Sequence, residues 1–376
     1  MATHQLALAF AKPRASTSNL QQIQNRATHQ IMPEQQRLLD AFVDGDYHRL
    51  LAEIERVEAD TALNSKASRI LGRRDWQPDA TYLLAQVRHK DIRRVASNSL
   101  TQRPLAHVEA VLRNPYRVKA GHDPLIYINY ICNRDGNGVP VHDYEQYLCT
   151  LEVAIGLKPS CARFAALRQS DVHSGINRAY QELTAGRKAK NFFGEFGKSD
   201  ADRLKANVTE YVAVQRQTVV PLAQQQGVSH IAIHGEVGLS AKGYQRCKEH
   251  LDMLQSSPAL FRLIRLVLRS TFQGAGFRLR QHVLFHVVRE TQLAVGESIA
   301  SLLCASYITS GGINIAQAGV QLGDGRKMTP DQWREALAQF NDLGVLKQIR
   351  PNLESFRQGI QAKIEQEQVS THRCIR

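Results

Sequence analysis

Apolar residues recur three and four positions apart in segment after segment of this 376-residue chain, and that spacing commits most of it to helices with one buried face. The stretch from Glu34 to Asp60 shows the pattern first. Leu38, Leu39, Phe42, Leu50, Leu51, Ile54 and Val57 keep helical spacing there, and Gly45 interrupts the run, which predicts two helices. The same reading predicts helices over 82–95 and 105–112, a helix opening at Ser160 as N-cap, and a long amphipathic helix from Asp200 to Leu222. Beyond these, Ser257 is expected to cap a helix with Pro258 at its first position, and 277–308 reads as one long or two shorter helices. Thr329, Pro330 and Gly344 bracket a further one. Two stretches depart from the pattern. LIYINYIC, ahead of the turn-rich NRDGNG, suits a short hairpin, an extended run or a buried helix end, and HIAIHGEVG reads as a short strand.

A chain of this length with 43% apolar residues fills one large core or two moderate ones, and ordinary domain size favours two. The expected fold is mainly α: two helical lobes, 34–226 and 227–350, hinged at the glutamine-glycine stretch 224–227, with flexible polar arms at 1–33 and 351–376. The uncharged run Ile299–Gly323 holds too many Ser, Thr, Asn, Gln and Gly residues to cross lipid and reads as buried core, so no membrane partner is expected. The start of the chain lacks the basic and apolar regions of a secretory signal, although its acid-poor composition also resembles transit peptides or bacterial secretion signals. Six irregularly spaced cysteines suit reduced thiols, and the expected location is intracellular, cytoplasmic or virion-associated.

The formal charge of +13 is concentrated. Residues 1–33 contain no acid and contribute +3 through Lys12, Arg14 and Arg26; 184–198 contribute +3; and 253–289, again without acid, contribute +6. Like charges placed close together attract polyanions by displacing condensed counterions. Arg262, Arg265 and Arg269 share one helical face, and Arg278 and Arg280 follow a Gly-Ala-Gly turn. In KAKNFFGEFGK, bases interleave with Phe192, Phe193 and Phe196, a combination in which rings stack on unpaired bases while lysines neutralise the backbone. These signals predict a nucleic-acid partner, single-stranded RNA in particular, held by Arg187, Lys188, Lys190, Phe193, Lys242, Tyr244, Arg262, Arg265, Arg269, Arg278 and Arg280. The layout of a two-lobed helical body, a neutral bulk and polar arms resembles that of nucleocapsid proteins of negative-strand RNA viruses. That resemblance implies RNA lying between the lobes and homo-oligomers formed by arm exchange.

Other chemistry has weaker support. Cys161 with His230 or His234 as base and Asp252 as orienter would make a nucleophilic site, as in a secreted bacterial effector enzyme, and a helical protein-interaction scaffold is a third alternative. His282, His286 and Glu290 would align on a helix as metal ligands, but the apolar residues between them favour histidines on the polar edge of a buried helix. No Walker or G-x-G-x-x-G spacing is present, so no cofactor, metal or catalytic residue is assigned.

Overall fold

The structure, a computed structural model, describes residues 28–43, 45–60, 71, 76–100, 123–184, 191–253, 257–314, 328–342, 349, 351–354 and 358. In chain order its helices are α1 (Pro33–Ala41), α2 (Tyr47–Asp60), α3 (Trp76–Ala85), α4 (His89–Ala96), α5 (Tyr144–Ala154), α6 (Gln169–Thr184), α7 (Lys198–Val214), α8 (Val220–Gln225), α9 (Gly243–Leu251), α10 (Ala259–Thr271), α11 (Thr291–Leu303) and α12 (Pro330–Asp342). The strands are β1 (Leu125–Cys132), β2 (Val139–Pro140), β3 (His230–Ile231), β4 (Ile233–Ser240) and β5 (Arg278–His286). The protein is mainly helical, as its periodicity predicts. Among the described residues, no helix is long and apolar enough to cross a membrane.

β1 is buried at all eight positions, which requires cover on both faces and paired strands on both edges. β4 and β5 supply the edges, pairing antiparallel with it in the order β4-β1-β5, and β2 and β3 form a separate two-stranded pair. The helices supply the faces. Ile126, Ile128 and Tyr130 point into one core with α1 to α4 and α11, while Ile131 joins a second core built by α5 to α8 and α10. Two helical bodies therefore lie on opposite sides of one small sheet. Both cores take residues from before and after residue 226: α10 packs against α6 and α5, and α11 against α3. At 226–227 the chain is tied down, because Gln226 exchanges hydrogen bonds with the backbone of Ile31 at 2.9 and 2.8 Å.

Several local expectations need correction. The stretch 277–308 is a strand followed by a helix, because Leu279 and Gln281 alternate inward against β1 while α11 begins only at Thr291. LIYINYIC is a central strand without a hairpin partner adjacent in sequence. Ser160 caps no α-helix; its N–H and hydroxyl donate to Glu152 at 3.0 and 2.6 Å, and α6 starts nine residues later at Gln169. Ser257 does not cap α10, whose N-cap is Pro258 without a side-chain cap. The 82–95 run is two helices, α3 and α4. Thr329 does cap α12, accepting from the Gln332 N–H while Gln332 accepts from the Thr329 N–H at 2.8 Å. The 105–112 helix and Gly344 fall outside the described residues.

The expected N-terminal arm falls outside the described residues as far as residue 27, and 28–33 are already part of the body. His29 is buried and accepts a hydrogen bond from the Gly138 N–H at 3.0 Å, and Gln30 exchanges hydrogen bonds with Ala232. At the other end, Asn352 donates to Ala85 O at 2.8 Å and Leu353 packs on the first core; most of 355–376 falls outside the described residues.

Candidate ligand-binding site

The odd-numbered face of β1 carries a buried polar row. Register places Tyr127 opposite Gly238 and Asn129 between Glu236 on β4 and Gln281 on β5, so four polar side chains and a glycine share this face. Gly238 is required at its position: a Cβ there would lie 2.5 Å from the Tyr127 hydroxyl, so only glycine lets the ring cross β4. α9 closes the row from above with Cys247 and His250. Asn129 donates to Glu236 Oε2 at 2.8 Å, Gln281 donates to Asn129 Oδ1 and to Cys247 O at 2.9 Å, and Tyr127 shares a hydrogen bond with His250 Nε2 at 3.0 Å.

Glu236 is the electrostatic centre of this row. Burial pushes its carboxyl from 4.5 up to about 7, against smaller stabilising effects from Asn129 and the Arg246 charge. Burial likewise holds His250 down at about 3, helped by the charges of Arg246 and Arg265. The 3.6 Å approach of His250 Nδ1 to Glu236 is therefore a contact between neutral groups in mildly acidic solution, and no ion pair forms there. Arg246 bonds Glu249 at 3.0 Å and also reaches Tyr127.

Tyr127, Glu236 and Arg246 form one wall of a cavity of about 650 Å³. The lining also includes Asp200 and Arg203 from the first turns of α7, and Ser257 to Leu260 with Arg262 from the start of α10. Glu297 and Asn314 are also in the lining. The volume suits a small organic molecule. A buried carboxyl that titrates near neutrality, on a cavity wall beside a tyrosine and an arginine, can donate or accept a proton.

The residues expected to hold RNA are placed otherwise. Arg262, 1% exposed, forms an ion pair with Glu195, and its guanidinium lies 5.0, 5.8 and 5.9 Å from the ring centres of Phe192, Tyr180 and Phe196. The basic-aromatic loop and the arginine stripe do meet, but inside the protein, where the rings and Glu195 accommodate Arg262. Arg265, 6% exposed, donates to the carbonyls of His250 and Leu251 at the end of α9, and burial followed by repulsion from Arg269 lowers it to about 10. Arg269 bonds Glu182 at 3.1 Å. Phe193 stacks on His173 with ring centres 4.1 Å apart, and Tyr244 is buried. Lys242 and Arg278 are exposed, and Arg280 donates to Arg134 O at 3.0 Å. Arg187, Lys188 and Lys190 fall outside the described residues.

Of the residues of the alternative nucleophilic site, His230 shares a hydrogen bond with Ser229 and Asp252 accepts from Lys248; the side chain of His234 is outside the described set. The helix that would align His282 and His286 is β5, where His282 lies opposite Ile128 and His286 opposite Leu125. The buried polar row had a trace in the sequence: Asn129 is the one residue of LIYINYIC that neither an aliphatic nor an aromatic core can absorb without a polar partner. Glu236, Arg246, Arg203 and Ser257 carry no such local mark. No family model matches the chain, and comparison with curated proteins and with solved structures finds no match either.

Proposed function

We propose that the protein binds a small polar ligand in the cavity beside β1 and β4, with Glu236 as the group that exchanges a proton there. One observation carries the reading: a buried carboxyl stands on the wall of a 650 Å³ cavity, hydrogen-bonded to the Asn129 amide, beside a neutral imidazole and within reach of the Arg246 charge. Burying such a group costs several kcal/mol unless a function or a ligand compensates. Thermal unfolding of wild type and Glu236→Gln against a panel of polar small molecules, at about pH 6 and about pH 8, tests it. The expected result is a ligand that raises the wild-type melting temperature to an extent that differs between the two pH values, a difference lost in the variant. A panel in which every hit behaves identically in both proteins overturns the role of Glu236.

RNA packaging is the second proposal. The +13 charge and the exposed Lys242 and Arg278 favour it, and it now depends on fewer cations than the sequence suggested.

A further inference from the structure

α10 begins at the cavity with its first turn unserved. Its N-cap is Pro258, no side chain caps it, and no acid lies in the first turn, although thirteen residues of helix direct a partial positive charge to this end. The amides of Ala259, Leu260 and Phe261 have no partner within the helix. A second observation points the same way. Ser257, 3% exposed, also lines the cavity, and its hydroxyl oxygen is buried without a hydrogen-bond partner. A native structure rarely leaves both a helix end and an adjacent hydroxyl unsatisfied beside a cavity unless something else fills the need.

We propose that the ligand of this cavity carries a phosphate group, seated on the first turn of α10 and on Ser257 Oγ. The inference rests on the reading of the cavity as a ligand site. A tetrahedral oxyanion accepts from several diverging donors at once, which is what successive helix amides and a hydroxyl present. Arg203 and Arg246 also line the cavity, paired with Asp200 and Glu249 respectively. Of the acids in the lining, Asp200 is paired with Arg203 and Glu195 with Arg262, and Glu236, pushed up to about 7 by burial, is mostly protonated in mildly acidic solution. Glu297 is the fourth. With the phosphate at α10, the uncharged part of the ligand reaches Tyr127 and Glu236, so a phosphate monoester of a polar organic group fits the whole lining.

The test uses the full chain and inorganic phosphate as probe. Thermal unfolding is followed in phosphate and in chloride of matched ionic strength, for wild type, Ser257→Ala and Pro258→Asp. An aspartate at the N-cap places its own carboxylate on the first-turn amides, so it stabilises the helix and occupies the anion position. Phosphate should raise the wild-type melting temperature by roughly 2 °C at ten times its dissociation constant. The rise should shrink in Ser257→Ala and vanish in Pro258→Asp, which should itself melt higher than wild type in chloride. Equal melting of wild type in the two salts overturns the assignment, as does a phosphate shift of the same size in Pro258→Asp. A neutral ligand that acts through Glu236 while phosphate does nothing overturns it and leaves the cavity reading standing. A phosphate shift that persists in Glu236→Gln supports the anion seat independently of what becomes of Glu236.

Discussion

Glu236 and His250 oppose each other in their effect on stability, and the pH window of each follows from its shift. Glu236 binds its proton more tightly in the folded state, about 7 against 4.5, so between those values the unfolded chain has released a proton that the native protein keeps, and stability falls as pH rises. The full penalty, roughly 3 kcal/mol, is present above pH 7. His250 has the reverse sign. Its folded value of about 3 lies below the ordinary 6.5, so stability falls as pH drops through that range. Where the windows overlap the two slopes offset each other. Glu236→Gln should therefore be more stable than wild type by up to about 3 kcal/mol near pH 8, converge with it below about pH 4.5, and show the slope of His250 uncovered between. Denaturant titrations across that range measure this directly, and parallel curves for the two proteins would show that Glu236 is not buried as a free acid. Buried ionisable groups were the least legible part of the sequence. Arg262 and Arg265 keep the spacing of a solvent-facing stripe, yet each is internal because Glu195 and the α9 carbonyls, distant in the chain, satisfy its guanidinium. Pairing of that kind leaves no local signature.

Packing between elements explains which secondary structure could be read in advance. α1, α2, α7 and α12 follow from apolar period and caps because one face of each meets a core and the other meets solvent or polar neighbours. β5 was hidden for a physical reason. His282 and His286 are four apart and flank apolar residues, a pattern that suits a helix face, while the strand's own alternation is broken by a register shift opposite Ile126 and Tyr127. The contact between α11 and the sheet is tight enough to test. A Cβ on Gly296 would lie 2.2 Å from Ile126 Cδ1 and 3.1 Å from Leu83 Cδ1, both in the first core. Gly296→Ala gains about 1 kcal/mol of helix propensity and loses about 1–3 kcal/mol to overpacking, so a net destabilisation of roughly 1 kcal/mol is expected. Ile126→Val removes the clashing methyl and alone costs about 1 kcal/mol. The double variant should then be no less stable than Ile126→Val by itself, a favourable coupling of at least about 1 kcal/mol in chemical denaturation. Simple additivity would show that α11 and β1 are less closely packed than these distances state.

Across the whole molecule, the sheet between two helical cores fixes how many cations are left to meet a polyanion. Nine basic residues were expected in a groove: Arg187, Lys188, Lys190, Lys242, Arg262, Arg265, Arg269, Arg278 and Arg280. Arg262 and Arg265 are inside the second body and Arg269 is engaged by Glu182, which leaves Lys242, Arg278 and Arg280 among the described residues. Binding to a single strand weakens with salt in proportion to the phosphates neutralised, with a slope of log K on log salt of roughly −0.7 per phosphate. A groove lined by all nine predicts a slope of about −6, the three remaining cations alone about −2, and those three with the basic residues of 187–190 about −4. Titration of a fluorescent single-stranded RNA at several salt concentrations distinguishes these values. The placement described here predicts a slope no steeper than about −4, reduced by less than about 1 for each of Lys242→Ala and Arg278→Ala, and unchanged by substitutions at Arg262 that preserve the fold. A slope near −6 would require Arg262, Arg265 and Arg269 to leave Glu195, the α9 carbonyls and Glu182, and so a rearrangement of the second core on binding. Absence of any salt dependence would remove packaging as a function and leave the cavity as the working site.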